Sequence, residues 1–375
     1  MPRLSFLAGI RLLALLAFCS WRHPGVAQRF AAIGDYGYAG PAEQQVAQLV
    51  KNWSPEFIIT LGDNNYDLGD STTIDQNIGQ YYHEYIHHYR GRYGPSASTN
   101  RFFPALGNHD YYTRNGEAYR DYFTLPGNGR YYEFVRGDVH FFAVNSDPHE
   151  PDGITTSSVQ ARWLQAQLAA STARWNVVYL HHAPYSSGAH GGTVALRWPF
   201  REWGASVVLA GHDHHYERLI VDGLPYIVNG LGGRSIYGVH TQRSPDSKAI
   251  FNADFGALFL TATADSLALQ FITRHQVLKD SYVLRHPISN NLELYPVSPN
   301  PFEEAANVSF SLPRPTPVQL RVLNSVGREV ARLYDGVLGA GWHQVKWSRQ
   351  GLPAGLYYVQ LFGADRSLVT RAVVL

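Results

Sequence analysis

From Arg29 onward, short unbroken apolar runs alternate with stretches whose apolar residues recur at helical spacing. Stacked α/β units produce that alternation, because a strand covered on both faces reads as continuously apolar while a crossover helix needs only one apolar stripe. Residues 30–33 predict a first strand, stopped by Gly34-Asp35-Tyr36-Gly37. Residues 42–53 predict the helix after it, with Val46, Leu49, Val50 and Trp53 on one face. Further strands are predicted over 57–61, 102–106, 176–180 and 205–210, and a hairpin over 131–136 and 139–145 turns at Gly137-Asp138. Helices are expected over 158–170, carrying Trp163, Leu164 and Leu168, and over 196–203. The aromatic, histidine-rich stretch 75–93 is expected as a helix and loop over the sheet, with His83 and His87 at its surface. Alternating runs at 257–263 and 267–273 close the sheet.

Near Pro287 the pattern changes. Ser289-Asn290-Asn291 and the proline-rich 296–301 read as a linker, followed by short alternating segments at 307–312, 318–324, 343–347 and 356–362 between Gly and Pro turns. Such spacing predicts a small antiparallel sandwich. The expected division is a signal peptide over 1–27, a catalytic domain over 28–287, a linker over 288–300 and a C-terminal β-sandwich over 301–375. The signal rests on Arg3 and Arg11, the apolar run 12–18 and the small residues Gly25-Val26-Ala27. The only cysteine, Cys19, lies inside it, so the mature chain carries no disulfide and no thiolate ligand.

Charge narrows the partners. With 31 basic and 30 acidic residues the formal net charge is +1, which gives no footprint for nucleic acid. No stretch is long enough to span a bilayer, so no transmembrane segment is expected.

Polar chemistry gathers where the strands stop. In chain order the strand-end residues are Asp35; Asp63 with Tyr66; Asn108 with His109; His181 with His182; and His212 with His214. In open α/β sheets the crevice at the carboxyl ends of the strands is the place for ligands, and carboxylate, imidazole and amide oxygen are metal donors. A single Asp at a strand end is commonly a turn former, and a single His-x-His arises by chance; five such clusters point to one site. Gly230-Leu231-Gly232-Gly233 invites a phosphate-loop reading, yet no Lys-Ser/Thr follows it, so a tight turn packed near the site is expected.

The five clusters stand as Asp35-Tyr36-Gly37, Gly62-Asp63-Asn64-Asn65-Tyr66, Gly107-Asn108-His109-Asp110, Val178-Tyr179-Leu180-His181 and Gly211-His212-Asp213-His214, with Tyr216-Glu217-Arg218 after the last. In order and type the set resembles the metallophosphoesterase superfamily, and within it the purple acid phosphatases. The resemblance implies an α/β metallophosphoesterase β-sandwich flanked by helices, ahead of the small all-β immunoglobulin-like sandwich. It implies two metal ions: Fe(III) held by Asp35, Asp63, Tyr66 and His214, and a divalent Zn, Mn or Fe held by Asp63, Asn108, His181 and His212. Asp63 is the implied bridge. Other members of the superfamily carry His two residues after the first Asp; here Gly37 stands there, and Tyr66 is available as the replacement ligand. The implied reaction is hydrolysis of small phosphomonoesters by in-line attack of a metal-bound hydroxide, with His109 and His190 handling charge and leaving-group protonation. His182 is expected to orient a ligand or line the pocket. The segment from about Asn300, with Pro299-Asn300-Pro301-Phe302, Gly355-Leu356-Tyr357-Tyr358 and the terminal Arg371-Ala372-Val373-Val374-Leu375, resembles the sorting domain of type IX secretion. It implies the secretion machinery as a partner and a secreted or surface location. A phosphodiesterase or nucleotidase on the same metals, and a non-catalytic surface protein, are the alternative readings.

Overall fold

The computed structural model describes residues 27–286, 291–363 and 366–375. The expected signal peptide therefore lies outside the described residues up to position 26. The first sheet has the order β13-β12-β11-β1-β2-β3. Its strands are β1 (Gln28–Ile33), β2 (Phe57–Thr60), β3 (Phe102–Pro104), β11 (Gly256–Ala262), β12 (Ser266–Thr273) and β13 (Leu278–Arg285). The second has the order β10-β8-β9-β7-β6-β5-β4. It is built from β4 (Tyr132–Arg136), β5 (Val139–Ala143), β6 (Trp175–Tyr179), β7 (Val207–Ala210), β8 (Tyr216–Val221), β9 (Leu224–Asn229) and β10 (Ser247–Phe251). The expected hairpin is the antiparallel pair β4 and β5, turned at Gly137 with φ 55°. The runs at 257–263 and 267–273 are β11, antiparallel to β1, and β12, antiparallel to β11.

Period-two alternation explains the layering, since successive side chains leave a strand on opposite faces. Phe30, Ala32, Phe57 and Ile59 point into a core between the sheets, where they meet Phe141, Trp175, Val177, Val207 and Leu209 from the other side. Their neighbours Ala31, Ile33 and Ile58 face outward, beneath Val46, Ala47 and Val50 of helix α1 (Pro41–Asn52). On the opposite flank Val178, Val208 and Ala210 lie under Leu164 and Leu168 of the helix Val159–Ala170. That helix begins where predicted, because the Ser158 hydroxyl accepts the Ala161 amide at 3.1 Å. The inter-sheet core is largely aromatic, with Phe30 stacked on Phe57 at 5.1 Å and Phe141 edge-on to Phe57 at 5.2 Å. Such pairs add about 0.5–1.5 kcal/mol each beyond the area they bury.

One expectation is corrected, and another is refined in detail. The helix expected over 196–203 is two separate turns, Val194–Leu196 and Phe200–Trp203, because Pro199 lacks the amide a continuous helix requires and restricts the residue before it. The stretch 75–93 covers the first sheet as consecutive turns, Asp75–Gly79, Gln80–Tyr82 and His83–Tyr85, with Ile78, Tyr82 and Tyr85 in the outer cluster.

The C-terminal region is all-β. One sheet pairs β14 (Glu293–Leu294), β15 (Ala305–Leu312) and β18 (Gly341–Ser348); the other pairs β17 (Glu329–Leu338), β16 (Thr316–Asn324), β19 (Gly355–Gly363) and β20 (Arg366–Val374). Both contribute to one core around Trp347, Phe310, Leu320 and Leu361. β14 comes from the stretch expected as linker and pairs with β15. Among the described residues no helix is long and apolar enough to cross a membrane.

Candidate metal centre

Strands β1, β2 and β3 run parallel in one sheet, and β5, β6, β7 and β9 run parallel in the other. Their carboxyl ends meet along one edge. Asp35 follows β1, Asp63 follows β2, Asn108 follows β3, His181 follows β6, and His212 and His214 follow β7. All the expected metal-binding residues therefore come to a single crevice.

The backbone is strained where it turns into that crevice. Asp35, Asp63 and His212 adopt positive φ of 55°, 52° and 70°. Left-handed backbone is uncommon outside glycine and clusters at functional sites, where packing over-determines it. Close approach accompanies it: a β-carbon at Gly62 would lie 2.5 Å from His181 Nδ1, and one at Gly211 would lie 2.6 Å from Asp35 Oδ2.

The side chains converge tip to tip. His181 Nδ1 lies 2.8 Å from the Leu61 carbonyl, which fixes a proton on that nitrogen and turns Nε2 into the site. That Nε2 faces Asn108 Oδ1 at 3.0 Å, Asp63 Oδ1 at 3.4 Å and His212 Nδ1 at 3.2 Å. On the other side, His214 Nε2 lies 3.2 Å from both Tyr66 Oη and Asp35 Oδ1, while the phenol is 3.1 Å from Asp35. His214 Nδ1 is held by Ser235 Oγ at 2.7 Å. Asp63 Oδ1 accepts the His109 amide at 2.9 Å, and Asp35 Oδ2 accepts the His212 amide at 2.9 Å. Asp35 and Asp63 are 0% and 2% exposed, so two carboxylates share a dry pocket.

Electrostatics follow from that burial. Burial pushes the Asp63 carboxyl up, but the adjacent His181 and His109 rings outweigh it and hold Asp63 well below the usual carboxylate range. Burial acts against His181, yet Asp63 and Asp35 bring it up to about 10. Burial and the His181 charge pull His182 down to about 3 and lower His212 as well. The Tyr66 phenol is raised by burial and by Asp35 and Asp63. Carboxylate oxygens, an amide oxygen and imidazole nitrogens gathered this closely form a donor set that a cation satisfies by taking the place of the shared proton. Asp35, Asp63 and His181 form one such group, and His181, His182 and His212 another. The second includes His182, whose ring is 4.3 Å from that of His212 and whose Nδ1 is 3.0 Å from Ser146 Oγ.

The two expected catalytic histidines lie on opposite sides. His109 Nδ1 is 2.6 Å from the Asp67 carbonyl, which leaves Nε2 toward the site at 3.9 Å from Asp63 Oδ2. His190 is exposed, with its ring 4.4 Å from that of His212. His215 is fully buried and faces Glu217 at 3.2 Å, so it does not join the centre. His83 and His87 each face a backbone carbonyl, of Pro95 and Ala97. Neither joins a group able to hold a metal among the described residues.

The glycine turn after β9 packs against the site as expected: the Gly232 amide donates to the Gly34 carbonyl at 2.9 Å and the Arg234 amide to the Asp35 carbonyl at 3.1 Å. It also delivers two side chains that the motifs do not announce. Tyr237 stacks on His214 with 4.0 Å between ring centres and 3° between planes. Arg234 lies over the rings of Tyr38 and Tyr66 at 4.3 and 5.3 Å and donates to Asp67 at 2.9 Å. Position alone marks them, since neither belongs to a spacing pattern.

Two mixed sheets with a carboxylate and histidine cluster at their shared edge are the setting of a metal-binding site. The calcineurin-like phosphoesterase model matches residues 28–216, and the chain belongs to that family. A secretion system C-terminal sorting domain matches residues 296–375. Among similar proteins, tartrate-resistant acid phosphatase type 5 of Rattus norvegicus is 27% identical over 271 residues, covering 62% of this chain and 80% of its own. Purple acid phosphatase 17 of Arabidopsis thaliana is 28% identical over 242 residues, covering 56% and 69%. Two solved structures share the fold. Purple acid phosphatase PPD1 from yellow lupin seeds matches at TM-score 0.57 and 18% identity, over 69% of this chain and 54% of that one. GAP50, the anchor in the inner membrane complex of Plasmodium, matches at TM-score 0.55 and 17% identity, over 70% and 89%. The chain is thus a purple acid phosphatase-like metallophosphoesterase with a sorting domain.

Proposed function

We propose that the protein is an exported phosphatase that hydrolyses small phosphomonoesters at a binuclear centre. The observation that carries this reading is the convergence of donors on both sides of Asp63, with Asn108, His181 and His212 on one side and Asp35, Tyr66 and His214 on the other. In this reading Asp35, Asp63, Tyr66 and His214 hold Fe(III), which suits hard oxygen donors, and Asp63, Asn108, His181 and His212 hold a divalent ion. When bound, the pair polarises the ester and acidifies the attacking water.

The chain's own residues then divide the work. Buried Asp35 and Asp63 fix the positions of their partners through the His212 and His109 amides. His109, anchored through Nδ1, presents Nε2 to the phosphate oxygens. His190, on the opposite rim, gives a proton to the leaving alkoxide as the bond from phosphorus to the ester oxygen breaks and water oxygen takes its place. Small phosphate esters suit this polar edge, where Asn108 and His109 are half-buried and His190 is exposed, and the near-neutral net charge of +1 gives a polyanion no footing. The N-terminal signal and the sorting domain would bring the enzyme out of the cell.

Parallel assays with a phosphomonoester and a phosphodiester test the reading. Preference for the monoester supports it, preference for the diester transfers the centre to a phosphodiesterase, and a monoester preference confined to nucleoside monophosphates marks a nucleotidase. Absence of both activities in metal-loaded protein leaves a non-catalytic surface protein.

A further inference from the structure

His190 poses a mechanical problem. It is an exposed side chain on a loop of small residues, Ser186-Ser187-Gly188-Ala189-His190-Gly191-Gly192, which by composition would wander. A proton donor must be held within hydrogen-bond reach of its target to be useful.

The loop is clamped from below by side chains that the mechanism leaves unused. Asp213, between the two expected ligands His212 and His214, is 1% exposed. Its Oδ1 accepts the His190 amide at 2.8 Å, and its Oδ2 accepts the Ser186 hydroxyl at 2.5 Å. The Ser186 oxygen in turn accepts the Gly188 amide at 3.0 Å. Glu217, fully buried, accepts the Ser187 amide at 2.7 Å and faces His215 Nε2 at 3.2 Å. Contact is too close for any side chain at Gly188, where a β-carbon would lie 2.5 Å from Asp213 Cγ and 2.6 Å from His215 Cε1. Asp213, on the segment that carries the metal-binding histidines, and Glu217, at the start of β8, therefore hold the His190 loop at Ser186, Ser187 and His190.

We propose that Asp213 is a positioning residue that ties the leaving-group acid His190 to the same backbone segment that carries His212 and His214. The inference rests on the acid role of His190 given above. One residue serves both sides: its main chain spaces the two metal-binding imidazoles, and its carboxylate sets where the His190 backbone sits. Any shift of the metal-binding segment then carries the acid along with it.

The test compares an aryl phosphate, whose phenolate leaves without help, with an alkyl phosphate, whose alkoxide needs a proton. It uses full-length, metal-loaded wild type, His190→Ala, Asp213→Ala, Asp213→Asn, Ser186→Ala and the His190→Ala/Asp213→Ala double variant. His190→Ala is expected to lose about 100-fold in kcat on the alkyl ester and little on the aryl ester. Asp213→Ala is expected to follow the same pattern at about 10-fold, to speed amide exchange at His190, and to add nothing in the double variant. Asp213→Asn keeps an acceptor for the His190 amide and stays near wild type. Should Asp213→Ala lose metal, Ser186→Ala carries the test, with the same leaving-group bias and faster exchange at His190 expected. A leaving-group bias in His190→Ala that is missing from Asp213→Ala, or from Ser186→Ala where that arm decides, overturns the inference alone. No bias in His190→Ala removes the acid role and the inference with it.

Discussion

Gly37 shows how narrowly single residues are constrained around this centre. A β-carbon there would lie 1.8 Å from the Asn64 carbonyl oxygen, and its own carbonyl accepts the Tyr66 amide at 2.8 Å. The space that a side chain would need at this position is filled by the turn that presents Tyr66. Gly37→Ala is expected to destabilise the protein by about 3 kcal/mol or more, read by chemical denaturation, because backbone must move to admit it. Asp110 is the second such residue. Its buried carboxylate accepts the Asn64 amide, the Asn64 side chain and the Gly107 amide at 2.8–3.0 Å, and burial together with Asp63 pushes its carboxyl up to about 7. Asp110→Ala strands those donors in a dry interior, at a cost of about 3 kcal/mol or more, and is expected to lower metal content as the Asp63 and Asn108 turns drift apart. Unchanged stability and metal content would show that the brace is dispensable.

Elements that are apolar on both faces were legible from the chain alone. Strands β1, β2, β6 and β7 are dominated by apolar runs because each is covered by a second sheet and by helices or turns, and the polar residue that follows each run marks the crevice. The convergence of the proposed metal-binding residues was legible for the same reason, since Asp35, Asp63, Asn108, His181 and His212 each follow a strand within a few residues. Elements with weak contrast were not. β17 runs through half-buried and exposed positions only, so no apolar run announces it. The split at Pro199 came from one missing amide, and the strain at Asp35, Asp63 and His212 has no signature in composition. Arg234 and Tyr237 reach the site because their loop folds back over it from β9, a tertiary fact that no spacing encodes. Stacking of Tyr237 on His214 predicts that Tyr237→Ala frees that imidazole. We expect weaker retention of the ion on the Tyr66 side, measured by metal release against a chelator, while Tyr237→Phe releases metal at the wild-type rate.

At the scale of the whole molecule the two regions are joined through aromatic rings. His286 lies between Trp175 and Trp342, with ring centres 4.0 and 4.1 Å away, and its Nε2 donates to the Arg174 carbonyl at 2.8 Å. Burial holds its pKa down at about 4, below the usual value near 6.5. A depressed histidine means that the unfolded chain binds the extra proton first, so this contribution to stability is complete above pH 6.5 and is lost as pH falls toward 4. Thermal midpoints of wild type and His286→Gln across pH 7 to 4.5 check this. The wild type should lose more than the variant, and parallel curves would exclude His286 as the titrating group. Sorting domain and enzyme are thereby predicted to loosen on the acid side, while the centre itself is set by Asp63. Counting metal ions per chain in purified wild type and Asp63→Ala tests that claim most directly. We predict about two ions per wild-type chain, as a shared carboxylate requires, and loss of both ions together with phosphatase activity in Asp63→Ala. Active wild type holding a single ion, or an Asp63→Ala variant that keeps both ions and its rate, would contradict the account.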